Sequence, residues 1–549
     1  MSSDSSSTIS SKAHDVGPNS GSNDSLSYRK GPAIEMTERR KINDDAAFAS
    51  DVDSRHHKPA PGYEGLHRWD PEFEWTEEEE KKIVQKIDLR VFAFCALTFF
   101  ALQLDRGNLT QALSDNMLDD LKLSTNDYNT GQTIFYLVFL FAEMPSQLVS
   151  KKIGAERWIP VQMVCWSLVA SCQAFLSGKS SYFACRALLG FFEGGFIPDT
   201  ILFLSYWYTS KELPRRLSLY WTAYAMTSVI GAFMAFGFLH VHINGYSGWR
   251  CLFAFEGLIT GVIGLIAGLY LPSSPTQTKT LLSRNGWFNE REEKIMVNRV
   301  LRDDPGKGDM HNRQALSPKL LLKAFSDFDL LPIYIIGLTW GLPTSPSQQY
   351  ITLQLKSLGF DTFQTSLLTI PAYVLFIIQL IWWTWVAERT NQRMLVGVFA
   401  EVYNLACCIA LRVLPDDASH WARWVLSTLL VGSPYIHAEI VSVTSRNAGS
   451  VRTRTVATAM YNMTVQASSI IGTNIYRADD APFYRRGNSA LIGLSAMNIL
   501  LFLGAKYYYM WRNSVHERKW NAMTTEQKDI YIEANRDKGN KRYDFRFIY

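Results

Sequence analysis

Apolar residues in this chain gather into long runs separated by short polar stretches, at approximately 88–110, 130–150, 156–176, 180–206, 218–239, 249–271, 328–355, 363–386, 393–413, 419–443, 454–475 and 488–511. Each is about 20 residues or longer, the length at which a helix crosses the hydrocarbon core of a bilayer. A backbone in lipid must satisfy its own polar groups, so the runs predict helices. A charged segment containing WFNEREEKIMVNRVLRDDP, predicted as one or two surface helices, divides the sixth run from the seventh. The expected fold class is all-α: a polytopic membrane protein with 12 transmembrane helices in a six-plus-six arrangement.

Polar sequence bounds these runs. Residues 1–74, rich in Ser, Asp, Asn, Lys and Arg, read as a disordered cytosolic tail. Domain boundaries follow at 75–272 for the first six helices, 273–327 for a cytosolic central loop, 328–511 for the second six and 512–549 for a cytosolic tail. Thr76 with Glu79 forms a helix-capping pattern, and EEEEKK continues it as a juxtamembrane helix leading into KIDLR. The polar opening of the chain is not a cleavable signal, so the first apolar span is expected to direct insertion. These tails dilute the apolar runs, leaving 47% hydrophobic residues overall and a mean hydropathy near zero.

A formal net charge of +4, with no basic low-complexity block, argues against nucleic acid as a partner. The seven cysteines lie in or beside apolar runs without metal-ligand spacing and read as packing residues. Lysine and arginine set the orientation. With the N-terminus inside, the inner loops receive Lys151, Lys152 and Arg157, then Lys211, Arg215 and Arg216, then Arg389 and Arg393, then Arg446, Arg452 and Arg454, while the first outer loop is acidic. The bias is less clean in the second half, where Arg477, Arg485 and Arg486 fall outside. Both termini are then cytosolic.

Charges inside the apolar runs carry the candidate chemistry. A charged side chain at bilayer depth costs roughly 2.5–3.5 kcal/mol, so such groups face a protein interior or a water-filled path. The fourth run contains RALLGFFEGGFIPD, where Arg186, Gly190 and Glu193 share one helix face and the glycine admits a close neighbour. The competing reading of Arg186 with Glu193 is a structural ion pair. The first run contains LDRGNLTQA. Adjacent Asp105 and Arg106 point about 100° apart and take partners from other spans, and Asp105 shares a polar face with Asn108 and Ala112. Here the competing reading is snorkelling to water. Glu256, in WRCLFAFEGLIT, stands open between function and structure; Glu143 is expected to brace a loop, and His437 to be structural.

Pro343 and Pro346 break the seventh run, GLTWGLPTSPSQQYITLQL, and broken spans are tolerated where they line a cavity. Ser345, Gln348, Gln349 and Tyr350 are therefore candidate substrate contacts. The eleventh run sets Thr458, Asn462, Gln466 and Ser469 in one polar stripe, which suits substrate binding or helix contact. No nucleotide-binding loop, metal cluster or nucleophile motif is present. The expectation is a non-enzyme without cofactor, driven by an ion gradient. Carboxylates within spans make protons the natural ion, with Asp105, Glu193 and Glu256 as coupling candidates.

These residues resemble the major facilitator superfamily, its anion:cation symporter family and the fungal allantoate permease-like branch. The resemblance runs from Trp75 to the C-terminus through KIDLR, DRGN, PSQLVSKKIGAERW, RALLGFFEGGFIPD, YWYTSKELPRR, WRCLFAFEGLIT, LPSSP, LLTIPAY and SRNAGSVRTRTVATAMYN. WNAM and GNKRYDFRF are similar to a subgroup that includes sulfonate and alternative-sulfur permeases. The resemblance implies two six-helix bundles, alternating access, and import of a small organic anion with protons by a monomer in the plasma membrane. It also implies coupling by Asp105, Arg106, Arg186 and Glu193, with Arg106 or Arg186 attracting the anion. A cytosolic gate would involve Lys151, Lys152 and Arg157 in one half and Glu388, Arg389 and Arg393 in the other. Gln147 and Lys151 replace the gate motif's glycine and aspartate, so the latch is expected mainly in the second half. Rival functions are efflux and non-transporting nutrient reception.

Overall fold

The computed structural model describes residues 63–209, 212–239, 247–303, 326–448, 451–535 and 540–549, together with Pro59. Among them every regular element is a helix. The first half comprises α1 (Glu77–Ile87), α2 (Ala93–Ala112), α3 (Thr125–Ile153), α4 (Ala155–Cys172), α5 (Lys179–Glu193), α6 (Phe196–Ser205), α7 (Glu212–Phe238) and α8 (Gly248–Tyr270), followed by a polar helix α9 (Glu290–Asp303). The second half comprises α10 (Leu331–Thr339), α11 (Ser345–Ser357), α12 (Thr362–Leu368), α13 (Ile370–Thr390), α14 (Arg393–Val413), α15 (His420–Val431), α16 (His437–Asn447), α17 (Val451–Gly472) and α18 (Arg485–Asn521), then α19 (Thr525–Ala534). All twelve apolar runs are thus helical, and nine helical runs among the described residues are long and apolar enough to cross a membrane.

Two of the other three runs are broken, and the eleventh is a single helix, α17, that is rich in polar side chains. The seventh run divides between Thr339 and Ser345, at its prolines. The tenth divides between Val431 and His437, where the sequence reads GSPYI. In the fourth run α5 stops at Glu193 and α6 starts at Phe196, so the Gly194–Gly195 pair forms the junction.

Glycines bring α5 against α3. A Cβ added at Gly190 would lie 2.4 Å from the Phe135 carbonyl oxygen, and one at Gly194 would lie 2.7 Å from that of Phe139. At this separation the two backbones touch, as small residues allow between membrane helices. Any larger side chain must push the helices apart.

At the end bearing the 113–124 loop, hydrogen bonds join the halves. Thr352 Oγ1 donates to the Thr110 carbonyl, Lys356 Nζ to that of Asp115 (2.9 Å), Thr362 Oγ1 to that of Ser114 (2.9 Å) and Asn129 Nδ2 to that of Tyr476 (2.9 Å). A buried cluster that includes Leu109, Tyr128, Tyr182, Tyr350, Tyr476 and Tyr484 fills the same end. Toward the middle, aromatic pairs take over, with Tyr224 6.0 Å from Phe376 and Trp221 5.0 Å from His437 between ring centres.

At the opposite end each half has its own clasp. The Thr76 capping box opens α1 as expected, and α9 packs beside it through Arg291–Glu79 (2.7 Å) and Lys86–Glu292 (2.7 Å) ion pairs. Arg299 of α9 is buried against Glu212 and Glu80. Asp88 of KIDLR is held in a two-point contact by Arg216 (2.7 and 2.8 Å), from the YWYTSKELPRR loop. In the second half, residues 540–549 fold back: Asn513 exchanges two hydrogen bonds with Phe547, and Asn447 exchanges two with Ile548.

The expected tails differ accordingly. Residues 1–62 lie outside the described residues except for Pro59, as does 304–325 of the central loop. The segment from Tyr63 is ordered rather than loose, because Tyr63 packs on Val297 and Leu301 and Arg68 pairs with Glu293 at 2.9 Å. The last apolar helix runs on to Asn521, beyond the expected boundary at 511.

Substituting Gly190 by valine should lower stability by about 1–3 kcal/mol through overpacking, read as a lower thermal unfolding temperature in detergent. Gly237→Ala, where an added Cβ meets nothing within 4 Å, should leave it unchanged or higher.

Candidate functional site

The helices just described converge on a buried set of charges in the first half. Asp105 and Arg106 leave α2 in different directions, as their adjacency requires. Arg106 Nε donates to Glu193 Oε2 at 2.6 Å. The two partners differ in access: the Arg106 side chain is 23% exposed and that of Glu193 only 2%. Arg106 also lies over the Phe139 and Phe135 rings, at 5.0 and 5.7 Å, and its Nη2 has no hydrogen-bond partner. The side chain is partly open while its spare donor is buried, so this fixed cation is suited to receive an anion that enters the bundle.

Two further carboxylates lie nearby with no cation of their own among the described residues. Asp105 Oδ2 accepts from Trp166 Nε1 at 3.1 Å, while its Oδ1 has no partner. Glu256 on α8 is fully buried, and neither of its carboxylate oxygens has a partner. Asp105 stands within electrostatic reach of both Glu256 and Glu193. Thr260, one turn beyond Glu256, approaches Asp105 from the same helix.

Arg186 is not the hydrogen-bonded partner of Glu193. Its Nη2 donates to Gln173 Oε1, its Nε is unpartnered, and the guanidinium lies against Phe135 and Tyr182. Two helical turns separate Arg186 from Glu193, about 10 Å of rise, and Arg106 enters beside the carboxylate. Asn108 is buried on the Asp105 face.

The second half contributes polar groups of unequal access. Gln349 Nε2 donates to Ser345 Oγ at 3.3 Å, leaving Gln349 Oε1 unpartnered. Gln348 is half-buried, as are Asn462 and Gln466 on α17. Tyr350 instead packs into the closed end, 5.6 Å from Tyr128 and 6.1 Å from Tyr476 between ring centres. Among the gate residues, Lys152, Arg157, Glu388 and Arg389 are exposed, and Arg393 donates to Asn391 Oδ1 at 2.6 Å. The side chain of Lys151 lies outside the described residues, as do those of Arg215, Arg452 and Arg454, and all of Lys211.

Sequence reasoning missed Trp166 and Gln173, whose roles come only from helix packing, and the aromatic group around His437. Tyr461 Oη lies 3.3 Å from His437 Nδ1, and Trp221 and Trp340 flank the ring. Tryptophans recur in several spans without a regular spacing, so nothing in the sequence singled these out.

The model of the Major Facilitator Superfamily matches residues 95–473. An uncharacterized transporter of Saccharomyces cerevisiae is 43% identical over 491 residues, covering 89% of this chain and 91% of the relative. A putative tartrate transporter of Agrobacterium vitis is 25% identical over 384 residues, covering 67% of this chain and 85% of its own. Among solved structures, the inward-facing, occupied form of a bacterial homologue of the human lysosomal transporter Spinster superposes with a TM-score of 0.57 at 11% identity, covering 79% of this chain and 98% of that one. A D-xylose–proton symporter also reaches 0.57 at 11% identity, covering 76% and 96%. These likenesses carry the fold.

Removing one partner of a buried ion pair costs about 3–5 kcal/mol because the other charge is left uncompensated. Arg106→Gln should therefore destabilise the protein strongly, and Arg106→Gln combined with Glu193→Gln should recover most of that loss. Thermal unfolding of the four proteins of this cycle in detergent provides the check.

Proposed function

The chain belongs to the Major Facilitator Superfamily, and from that premise we propose that it is a secondary active transporter importing a small organic anion by proton symport across the plasma membrane. The finer placement is the anion:cation symporter family, in its allantoate permease-like branch. The observation that carries this reading is the Arg106–Glu193 pair, in which a partly exposed guanidinium is held by a buried carboxylate. That a relative is named as a putative tartrate transporter supports an anionic substrate.

The pair suggests how proton and anion help one another. Unloaded, Arg106 and Glu193 neutralise each other. An entering anion competes for the guanidinium, and a proton taken up by Glu193 releases it. The loaded site then holds one cation, one anion and a neutral acid, so its net charge is again zero. A charge-balanced site moves past apolar surroundings without the cost of an unpaired ion. The coupling is reciprocal: each ligand raises the affinity for the other. Asp105 and Glu256 supply further protonatable positions for anions of higher charge, and Arg186 holds a second donor near the same face.

In this reading the joined end is the outer gate, and substrate exchanges with the cytosol. Ser345, Gln348, Gln349, Asn462 and Gln466 offer neutral hydrogen bonds from the second half, while Tyr350 belongs to the gate.

Growth of a deletion strain and its complemented parent on single nitrogen, sulfur and vitamin sources identifies the anion; net retention of the labelled anion supports import, and accelerated loss overturns it in favour of efflux. With that anion in proteoliposomes, Glu193→Gln should abolish uptake driven by a pH gradient while retaining counterflow exchange. Unaltered pH-driven uptake in this variant would rule out the assignment.

A further inference from the structure

A carboxylate that the proposed coupling site does not use lies deep in the second half. Gly397 of α14 sits against the Phe502 ring of α18, where an added Cβ would come within 2.4 Å, and Asn498 Nδ2 donates to Glu401 Oε1 at 3.2 Å. These two contacts fix an antiparallel register that sets Asn404 opposite Ser495. Glu401, Asn404, Ser495 and Asn498 are all at most 3% exposed. Glu401 Oε2, Asn404 Oδ1, Asn498 Oδ1 and Ser495 Oγ each lack a hydrogen-bond partner. Three of these four atoms can only accept, and the Ser495 hydroxyl alone among them carries a hydrogen.

The groups facing Glu401 are Asn404 on its own helix and Asn498 from α18. Cys408, two turns along α14, is the titratable side chain that senses it. No cationic side chain among the described residues acts on it. A bare carboxylate in such a place is costly, whereas a proton on Oε2 removes the charge and adds a donor among unpartnered acceptors. Asn498 Nδ2 also donates, at 3.0 Å, to the carbonyl of Thr339, the last residue of α10 before the seventh span breaks.

We propose that Glu401 is a second proton-binding site, in the half opposite Arg106 and Glu193, and that its occupancy is transmitted through Asn498 to the break in the seventh span. Hydrogen bonds to an ionised acceptor are roughly twice as strong as neutral ones. Loss of the proton therefore draws the Asn498 amide toward Glu401 and away from Thr339, loosening the end of α10. The site binds a proton whatever solute is carried, so its test does not depend on the transport reading.

Infrared difference spectra of the full-length protein in lipid, recorded between acid and alkaline pH, report the carbonyl band of buried protonated carboxyls. One such band should be lost in Glu401→Gln, persist in Glu193→Gln and Glu256→Gln, and shift in Asn498→Leu, which keeps the acid and removes its partner. Maleimide labelling of Gly341→Cys, corrected for the parent's cysteines, should depend on pH and lose that dependence with Glu401→Gln or Asn498→Leu. An unchanged carboxyl spectrum in Glu401→Gln overturns the proton site. So does a Glu401 response to sodium at fixed pH with none to pH, and labelling that ignores both variants overturns the link to the break. If Glu401→Gln fails to fold, Glu401→Asp serves instead: a shifted band supports the site and an unshifted one overturns it.

Discussion

Charge held where water is scarce is the constraint on which the rest of this structure depends. Arg106 and Glu193 are tolerable at the centre of an apolar bundle because each neutralises the other at 2.6 Å. That distance requires α2 and α5 to meet a common neighbour closely, which the glycines of α5 allow against α3. The glycine pattern and the ion pair are therefore one design. The small residues bring the helices together, and the charges give a reason for the bundle to hold them there.

The two ends of the molecule are closed by different chemistry. Where the halves meet, several bonds end on main-chain carbonyls of the other half, donated by Thr352, Lys356, Thr362 and Asn129, and tyrosines fill the space between. At the other end the strong contacts stay within each half: α9 clamps α1, and residues 540–549 clamp the ends of α16 and α18. An arrangement of two internally braced halves joined at one end by hydrogen bonds to carbonyls, three from neutral donors and one from the Lys356 ammonium, suits rigid-body rocking. Neutral bonds to carbonyls are individually worth about 1 kcal/mol, and one from a charged donor about 1.5–3 kcal/mol, so the joined end is separable without exposing a buried ion pair.

Much of this was legible in sequence because the bilayer restricts what an apolar run can be. All twelve runs are helices, the seventh breaks at Pro343 and Pro346, and the Thr76 box forms as its spacing indicates. Helix faces were legible as well: Asp105, Asn108 and Ala112 are buried together. Pairing between helices was not. Periodicity locates Arg186 and Glu193 on one face but says nothing about which other span points at them, so Gln173 and Arg106 emerge only from packing. The ordered segment at Tyr63 and the folded-back C-terminus were also hidden, since each depends on a receiving surface distant in sequence.

The interruptions within spans show how such pairing supports irregular backbone. A helix that stops inside a membrane leaves carbonyls without intrahelical donors, and neighbouring helices must satisfy them. Side chains from other helices do so at four points here: Gln162 Nε2 donates to Phe192 O near the end of α5, Asn498 Nδ2 to Thr339 O at the end of α10, Trp424 Nε1 to Leu368 O at the end of α12, and Tyr403 Oη to Leu429 O near the end of α15. Each break is thus a tertiary feature as much as a local one. Prolines and glycines permit it, but a donor on a different helix sets its geometry. At α5 the break follows immediately after Glu193, and at α10 the donor is the amide that also holds Glu401. Changes of charge on these acids therefore act where the helices are weakest, which is where a small shift in hydrogen bonding has the most leverage on helix direction.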